Sequence, residues 1–209
     1  MYAVTDRAWA KKQSLYEQIE QALDGGVTCV QLREKNMDDD MLIKETLEVK
    51  RLCCRYGVPL IINDRVDIAL KTGADGVHVG HDDCAVSEIR KKAGKDFIIG
   101  ATAKTPQQAL CAQQDGADYI GVGAVFPSPT KKNAIRITTD ELKKICSSVS
   151  LPAVAIGGIE LSNISTLAGC KINGIAVVSA LFSAEDIKSA AESLKAEAIK
   201  IAEFSNTEC

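Results

Sequence analysis

Histidine is scarce in this chain, with two among 209 residues, and none of the eight cysteines forms a C-x-x-C pair. A tetrahedral zinc site draws on such ligands, so both shortages argue against zinc. No apolar run approaches the ~20 residues needed to cross a bilayer. Met1 leads straight into Tyr2-Ala3-Val4, without the charged-then-apolar order of a secretory leader. Surplus positive charge is missing as well. A net charge of -3 offers no footing for nucleic acid or an anionic membrane. Neither a linker nor a low-complexity segment interrupts the chain. With 46% hydrophobic residues, it can bury a sizeable core as one domain, and most cysteines lie among apolar neighbours, where a thiol serves as a small core residue. The expectation is a reduced, cytoplasmic protein rather than a disulfide scaffold.

What is present alternates from end to end. Short apolar runs expected as strands begin at Tyr2, Cys29, Leu60, Gly76, Phe97, Tyr119, Ala153 and Ile175. Between them lie helical patterns. Ser14–Leu23 stops at Gly25-Gly26. Asp39 or Asp40 can cap a helix running to about Tyr56, ahead of Gly57 and Pro59. Asp67–Lys71 is short. Ser87 is placed to cap a helix to Ala93, Thr105-Pro106 opens one to Gln114, and Thr139 or Asp140 starts one to Ser147. Leu161–Leu167 and Glu185–Phe204 complete the set, with a polar C-terminal tail from about residue 205. Alternation of this kind requires a parallel sheet flanked by helices. Eight units over residues 1–209 fit a single-domain α/β chain folded as a (β/α)8 TIM barrel. A doubly wound open sheet is the rival, although eight units are many for it. A weak repeat supports repeated βα units: Gly73-Ala74-Asp75 matches Gly116-Ala117-Asp118, and Asn173-Gly174 echoes both.

In a barrel, the residues that follow each strand share one rim. That rim would collect Gln31, Arg33 and Lys35 after the second strand, and Asn63 and Asp64 after the third. Asp82 and Asp83 follow the fourth, Thr102 the fifth, and Ser128, Thr130 and Lys131 the sixth. Gly157-Gly158 and Ser179 follow the last two. Pro127 and Pro129 exclude regular helix and central sheet from the loop after the sixth strand. Glycine pairs let backbone N–H groups approach an oxyanion, and the cations suit a more highly charged group such as a diphosphate. Two carboxylates beside phosphate oxygens can hold Mg²⁺. Each feature has a plainer reading. Asp82 or Asp83 can cap a helix, Arg33-Glu34-Lys35 can be a solvated charge run, and His78 suits a packed strand position. The rim offers no evident Cys–His or Ser–His pair for nucleophilic catalysis.

Tyr2-Ala3-Val4-Thr5-Asp6, Val30-Gln31-Leu32-Arg33-Glu34-Lys35, Ile62-Asn63-Asp64, Val77-His78-Val79-Gly80, the stretch Gly121–Lys131, Ala155-Ile156-Gly157-Gly158-Ile159 and Val178-Ser179 together resemble the thiamine phosphate synthase family. The resemblance spans nearly the whole chain. It implies a transferase that joins hydroxymethylpyrimidine diphosphate to hydroxyethylthiazole phosphate with release of pyrophosphate. It also implies that Gln31, Leu32, Arg33, Glu34, Lys35, Asn63, Thr102 and Lys131 hold the pyrimidine diphosphate, with Arg33, Lys35 and Lys131 as the catalytic cations. Ser128, Pro129, Thr130, Gly158, Val178 and Ser179 would hold the thiazole phosphate, and Asp64 and Asp83 would bind Mg²⁺. Arg65, His81 and Lys104 depart from the family pattern, and Arg65 stands beside the implied metal position. A thiazole tautomerase-like relative and a non-catalytic phosphate- or thiamine-sensing barrel are the alternatives. The expected partners are small phosphorylated molecules, and a homo-oligomer is compatible with the sequence.

Overall fold

The structure, a computed structural model, describes residues 1–10, 13–80, 85–128 and 135–206. Eight parallel strands close into a barrel in chain order, β1 through β8. They are β1 (Tyr2–Val4), β2 (Cys29–Leu32), β3 (Leu60–Asn63), β4 (Gly76–Val79), β5 (Ile98–Ala103), β6 (Tyr119–Gly123), β7 (Ala153–Ile156) and β8 (Gly174–Val177). The three-residue β1 is enough for closure, because it pairs on both sides, with Cys29–Gln31 of β2 and with Ala176–Val177 of β8. The expected barrel is therefore the observed fold, and the open sheet is excluded.

The strands read as unbroken apolar runs because they are covered on both faces. Outward residues such as Val30, Leu32, Ile62, Val77, Ile99, Ile120 and Ala155 pack with the helices in one large core. Inward residues form a second, smaller cluster built on Tyr2, Val4, Ile61 and Ala176, with Ile98, Tyr119, Val154 and Ile156 against it.

The helices are α1 (Leu15–Asp24), α2 (Asp39–Tyr56), α3 (Val66–Thr72), α4 (Val86–Ala93), α5 (Pro106–Gln114), α6 (Thr139–Ser147), α7 (Ser179–Phe182) and α8 (Ile187–Asn206). Ser14 and Glu17 form a capping box on α1, as do Thr138 and Glu141 on α6. Several boundaries differ from expectation. Asp38 caps α2 rather than Asp39 or Asp40, since its side chain accepts the Met41 N–H. Ser87 does not cap α4: the N-cap is Ala85, which has no capping side chain, and Ser87 lies within the first turn. Leu161–Leu167 is not an α-helix; only Ile164–Leu167 is helical, as a 3-10 turn. The single turn α7 replaces loop after β8, and α8 carries the backbone of residues 205–206, where a tail was expected. Among the described residues, no helix is long and apolar enough to cross a membrane.

The sequence repeat has a structural cause. Before β4, β6 and β8 stands an acceptor side chain that takes a backbone N–H of the preceding strand. Asp75 accepts from Leu60 at 2.8 Å, Asp118 from Ile99 at 2.7 Å, and Asn173 from Ala153 at 2.9 Å. Each would otherwise be an unpaired donor at the bottom of the barrel. Among the described residues the cysteines are free: Cys53, Cys146 and Cys170 are buried, Cys29 is half-buried, and Cys54 and Cys111 are exposed.

Candidate active site

A cavity of about 160 Å³ opens at the C-terminal ends of the strands. Eight of the expected site residues line it: Gln31, Arg33, Asn63, Thr102, Ser128, Gly158, Val178 and Ser179. They come from β2, β3, β5, β6, β7 and β8 or the loops that follow, so the barrel gathers what the sequence scatters. Leu32, Glu34, Lys35 and Asp64 are not part of this lining. Leu32 faces the outer core at 1% exposure. Glu34 turns toward Arg7, whose guanidinium reaches it at 3.2 Å and also pairs with Glu45 at 2.5 Å. Burial pushes the Glu34 carboxyl up, and Arg7 opposes that shift. Lys35 is exposed. Asp82, Asp83, Pro129, Thr130, Lys131 and His81 lie outside the described residues.

Arg33 is placed by β1. Its backbone N–H donates to the buried Thr5 hydroxyl at 2.9 Å, and its guanidinium lies 3.9 Å from the Asp6 carboxylate. Thr5 in turn donates its N–H to the Gln31 carbonyl at 2.9 Å. The Thr5-Asp6 step after the first strand therefore holds the arginine at the cavity mouth.

Asn63 and Asp64 leave β3 through a left-handed turn. Asp64 has φ +62°, a conformation that aspartate tolerates better than most residues. The Asn63 amide donates to the Asp64 carboxylate at 2.6 Å. Among the described residues the donors here are the Asp64 carboxylate and the Asn63 amide, with no thiol beside them, the kind of oxygen donor that a hard cation such as Mg²⁺ takes. Among the described residues, no group of three or more His, Cys, Asp or Glu side chains gathers into a fuller metal cage. Arg65 does not reach toward this position with a spare charge. It pairs with Asp39 at 2.8 Å and Asp67 at 3.0 Å, and those carboxylates push its pKa above the ordinary value.

Gly157 and Gly158 have a reason beyond anion approach. Both have positive φ, +105° and +62°. A Cβ on Gly158 would lie 2.1 Å from the Pro127 carbonyl oxygen, and one on Gly157 2.6 Å from the Ala124 Cβ. The loop after β6 runs directly over this turn, fixed by the Phe126 N–H to the Gly157 carbonyl at 2.9 Å and the Val125 N–H to the Ile156 carbonyl at 3.1 Å. Packing between the two loops therefore demands glycine before any ligand enters.

The cavity floor was not foreseen. Tyr2 and Tyr119 line it, with their hydroxyls 2.9 Å apart and their rings edge to face at 5.9 Å. Burial pushes both phenols well above the ordinary tyrosine pKa, so they are neutral. His78 also lines the cavity, with Nδ1 3.0 Å from the Tyr119 hydroxyl and Nε2 3.1 Å from the Thr102 hydroxyl. The expectation concerned only Cys–His and Ser–His pairs, and this contact is a Thr–His pair that it did not weigh. The pair forms because β5 runs to Ala103, past the strand expected from the sequence, which sets Thr102 on the strand itself and aims it inward beside His78. Period-two alternation through Tyr2, His78, Thr102 and Tyr119 was the available signal. Glycine makes room for these rings: a Cβ on Gly100 would lie 2.1 Å from the Tyr119 ring, and one on Gly121 2.9 Å from His78. Lys104 adds a cation to the wall.

Fold and cavity together define a (β/α)8-barrel protein with a small-molecule site at its C-terminal mouth, cationic and hydroxyl-bearing above and aromatic below. A profile of the family described as thiamine monophosphate synthase matches residues 1–181. The chain belongs to that family, a family of transferases, as its motifs implied. It is 46% identical to the thiamine-phosphate synthase of Clostridium tetani over 194 residues, 93% of each chain. It is 48% identical to that of Ruminiclostridium cellulolyticum, over 93% of this chain and 92% of the relative. Among solved structures, thiamine phosphate pyrophosphorylase from Pyrococcus furiosus superposes with a TM-score of 0.87 at 36% identity, covering 96% of this chain and 95% of the other. A 3-hexulose-6-phosphate synthase, at 15% identity and a TM-score of 0.67, shares the fold.

Proposed function

We propose that this chain condenses hydroxymethylpyrimidine diphosphate with hydroxyethylthiazole phosphate to give thiamine phosphate and pyrophosphate. One observation carries the reading: eight residues that the family resemblance ties to the two substrates, drawn from six strands or their loops, line a single cavity. In the reaction, the bond from the pyrimidine methylene carbon to the diphosphate oxygen breaks. Its electron pair leaves with the diphosphate, and the thiazole nitrogen lone pair forms the new C–N bond. No proton transfer is required.

The residues have corresponding tasks. Arg33, oriented by Asp6 and Thr5, offers a planar fork to the diphosphate, and Lys35 and Lys131 add charge around it. Gln31, Asn63 and Thr102 bind the pyrimidine diphosphate where they enter the cavity. On the opposite wall, Ser128, Gly158 and Ser179 receive the thiazole phosphate. Val4, Val154, Ile156 and Ala176 keep the interior apolar, which restricts water that would compete for a cationic carbon. Asp64 and Asp83 would hold Mg²⁺, whose contribution when bound is to neutralise diphosphate charge. Catalysis then rests on positioning and electrostatic stabilisation rather than on a protein nucleophile. Ala124, part of the wall, stands where a tautomerase-like relative would carry histidine, which favours the synthase.

The test is a two-substrate assay of pyrophosphate release, with Mg²⁺ and with chelator. Release only when both substrates and Mg²⁺ are present is the expected result. Tight binding of either ligand without turnover would instead establish a sensor.

A further inference from the structure

We propose that a one-way hydrogen-bond chain crosses the barrel floor from Gln31 through Tyr2, Tyr119 and His78 to Thr102, making Thr102 a donor to the pyrimidine diphosphate and His78 a positioning residue. The identity of that ligand rests on the synthase reading; the direction of the chain does not.

The direction follows from counting protons. The Gln31 amide nitrogen donates to the Tyr2 hydroxyl at 2.8 Å. Tyr2 therefore accepts, and its own proton is available for the Tyr119 oxygen at 2.9 Å. Tyr119 then gives its proton to His78 Nδ1 at 3.0 Å. A neutral imidazole that accepts at Nδ1 carries its proton on Nε2. That proton points at the Thr102 oxygen, 3.1 Å away. Thr102 is thereby an acceptor toward His78, and its own O–H must find a partner in the cavity that it lines. Running the chain backwards is disfavoured at Tyr2. There the hydroxyl would accept from both Gln31 and Tyr119, and its own proton would be left to the Cys29 sulfur, a weaker acceptor than a phenol oxygen, although Tyr2 is only 6% exposed. Links of this kind polarise one another in a low-dielectric interior.

This direction decides between two chemistries for the His78–Thr102 pair. With the imidazole as acceptor, the pair would be a base and an activated nucleophile. With Nε2 as donor, His78 cannot take the threonine proton. Thr102 instead offers a fixed O–H to an acceptor atom of the substrate. The packing holds this arrangement in place: Gly100 and Gly121 leave the space that the tyrosine and histidine rings fill, and the two rings lie 5.5 Å apart.

The experiment is a long-range proton–nitrogen NMR spectrum of the full chain labelled at histidine. Only two histidines exist, so His81→Gln assigns the signals. The expected spectrum has His78 protonated at Nε2 and bare at Nδ1, and Tyr119→Phe, which removes the donor to Nδ1, abolishes that preference. Protonation at Nδ1, or at both nitrogens, would overturn the chain. In steady-state kinetics, Thr102→Val should raise KM for the pyrimidine diphosphate about tenfold, the scale of one hydrogen bond to a charged group, and Thr102→Ser should restore it. An unchanged KM in Thr102→Val, or an enzyme–pyrimidine adduct trapped on Thr102, would refute the donor role. A chain that showed the expected tautomer but released no pyrophosphate would defeat the synthase reading and leave the direction of the network standing.

Discussion

Replacing Gly158 with alanine separates two reasons for a glycine at the rim, loop packing and anion binding. The added Cβ would meet the Pro127 carbonyl oxygen at 2.1 Å, where ordinary contact begins near 3.4 Å. The carbonyl must therefore retreat by more than 1 Å, and it belongs to backbone that cannot rotate away as a side chain would. Alanine must also hold φ near +62°, which costs roughly 1–2 kcal/mol for an L-residue. Strain of that size lowers the melting temperature of a chain this long by about 2–8 °C. The displaced segment is continuous with Ser128, a lining residue, and a shift of about 1 Å in a positioning group can cost on the order of 10²-fold in rate. Thermal denaturation without ligand should show the loss of stability, and steady-state kinetics should show the larger loss in kcat/KM, concentrated on the thiazole phosphate. A variant as stable as the parent without ligand would refute the packing argument. Full activity would refute the placement of this turn in the site.

Asp118→Ala removes the acceptor for the Ile99 N–H, which belongs to a fully buried residue, together with a carboxylate 2.6 Å from Arg90. A stranded buried donor costs about 1–3 kcal/mol, so Tm should fall by several degrees, and Asp118→Asn should recover much of it. Asp64→Ala should lower the rate of pyrophosphate release far more than it weakens binding of thiazole phosphate, measured by calorimetry; an intact rate would remove Asp64 from the metal position. Stability should also fall at alkaline pH. Burial pushes Cys29, Cys53 and Cys146 up to about 12, whereas an unfolded thiol titrates near 8.5. Between those values the unfolded chain loses protons that the folded state keeps. The neutral-thiol contribution is thus complete below about pH 8.5 and declines by about 1.4 kcal/mol per unit per group above it. Urea midpoints measured from pH 7 to about pH 10.5 should fall, and replacing Cys53 with alanine should flatten that fall.

The sequence by itself determined the order of elements, the barrel, and the rim positions of Gln31, Arg33, Asn63, Ser128, Gly158 and Ser179. Those features follow from local chemistry: apolar runs that form strands, capping side chains, and turn residues at strand ends. It also displayed the repeat before β4 and β6, although not its cause. Only the tertiary structure showed that Asp75, Asp118 and Asn173 cap a neighbouring strand, because that bond joins residues 15 to 20 positions apart. The aromatic floor was decided in the same way. Tyr2 and Tyr119 are 117 positions apart, and nothing in either strand indicates that their hydroxyls meet. Nor did local pattern reveal that Glu34 turns to Arg7, or that Gly158 makes room for Pro127. A side chain's strand and face are set by its near neighbours. Which atom it touches across a closed barrel is set by shear, register and the volumes of residues contributed by other strands.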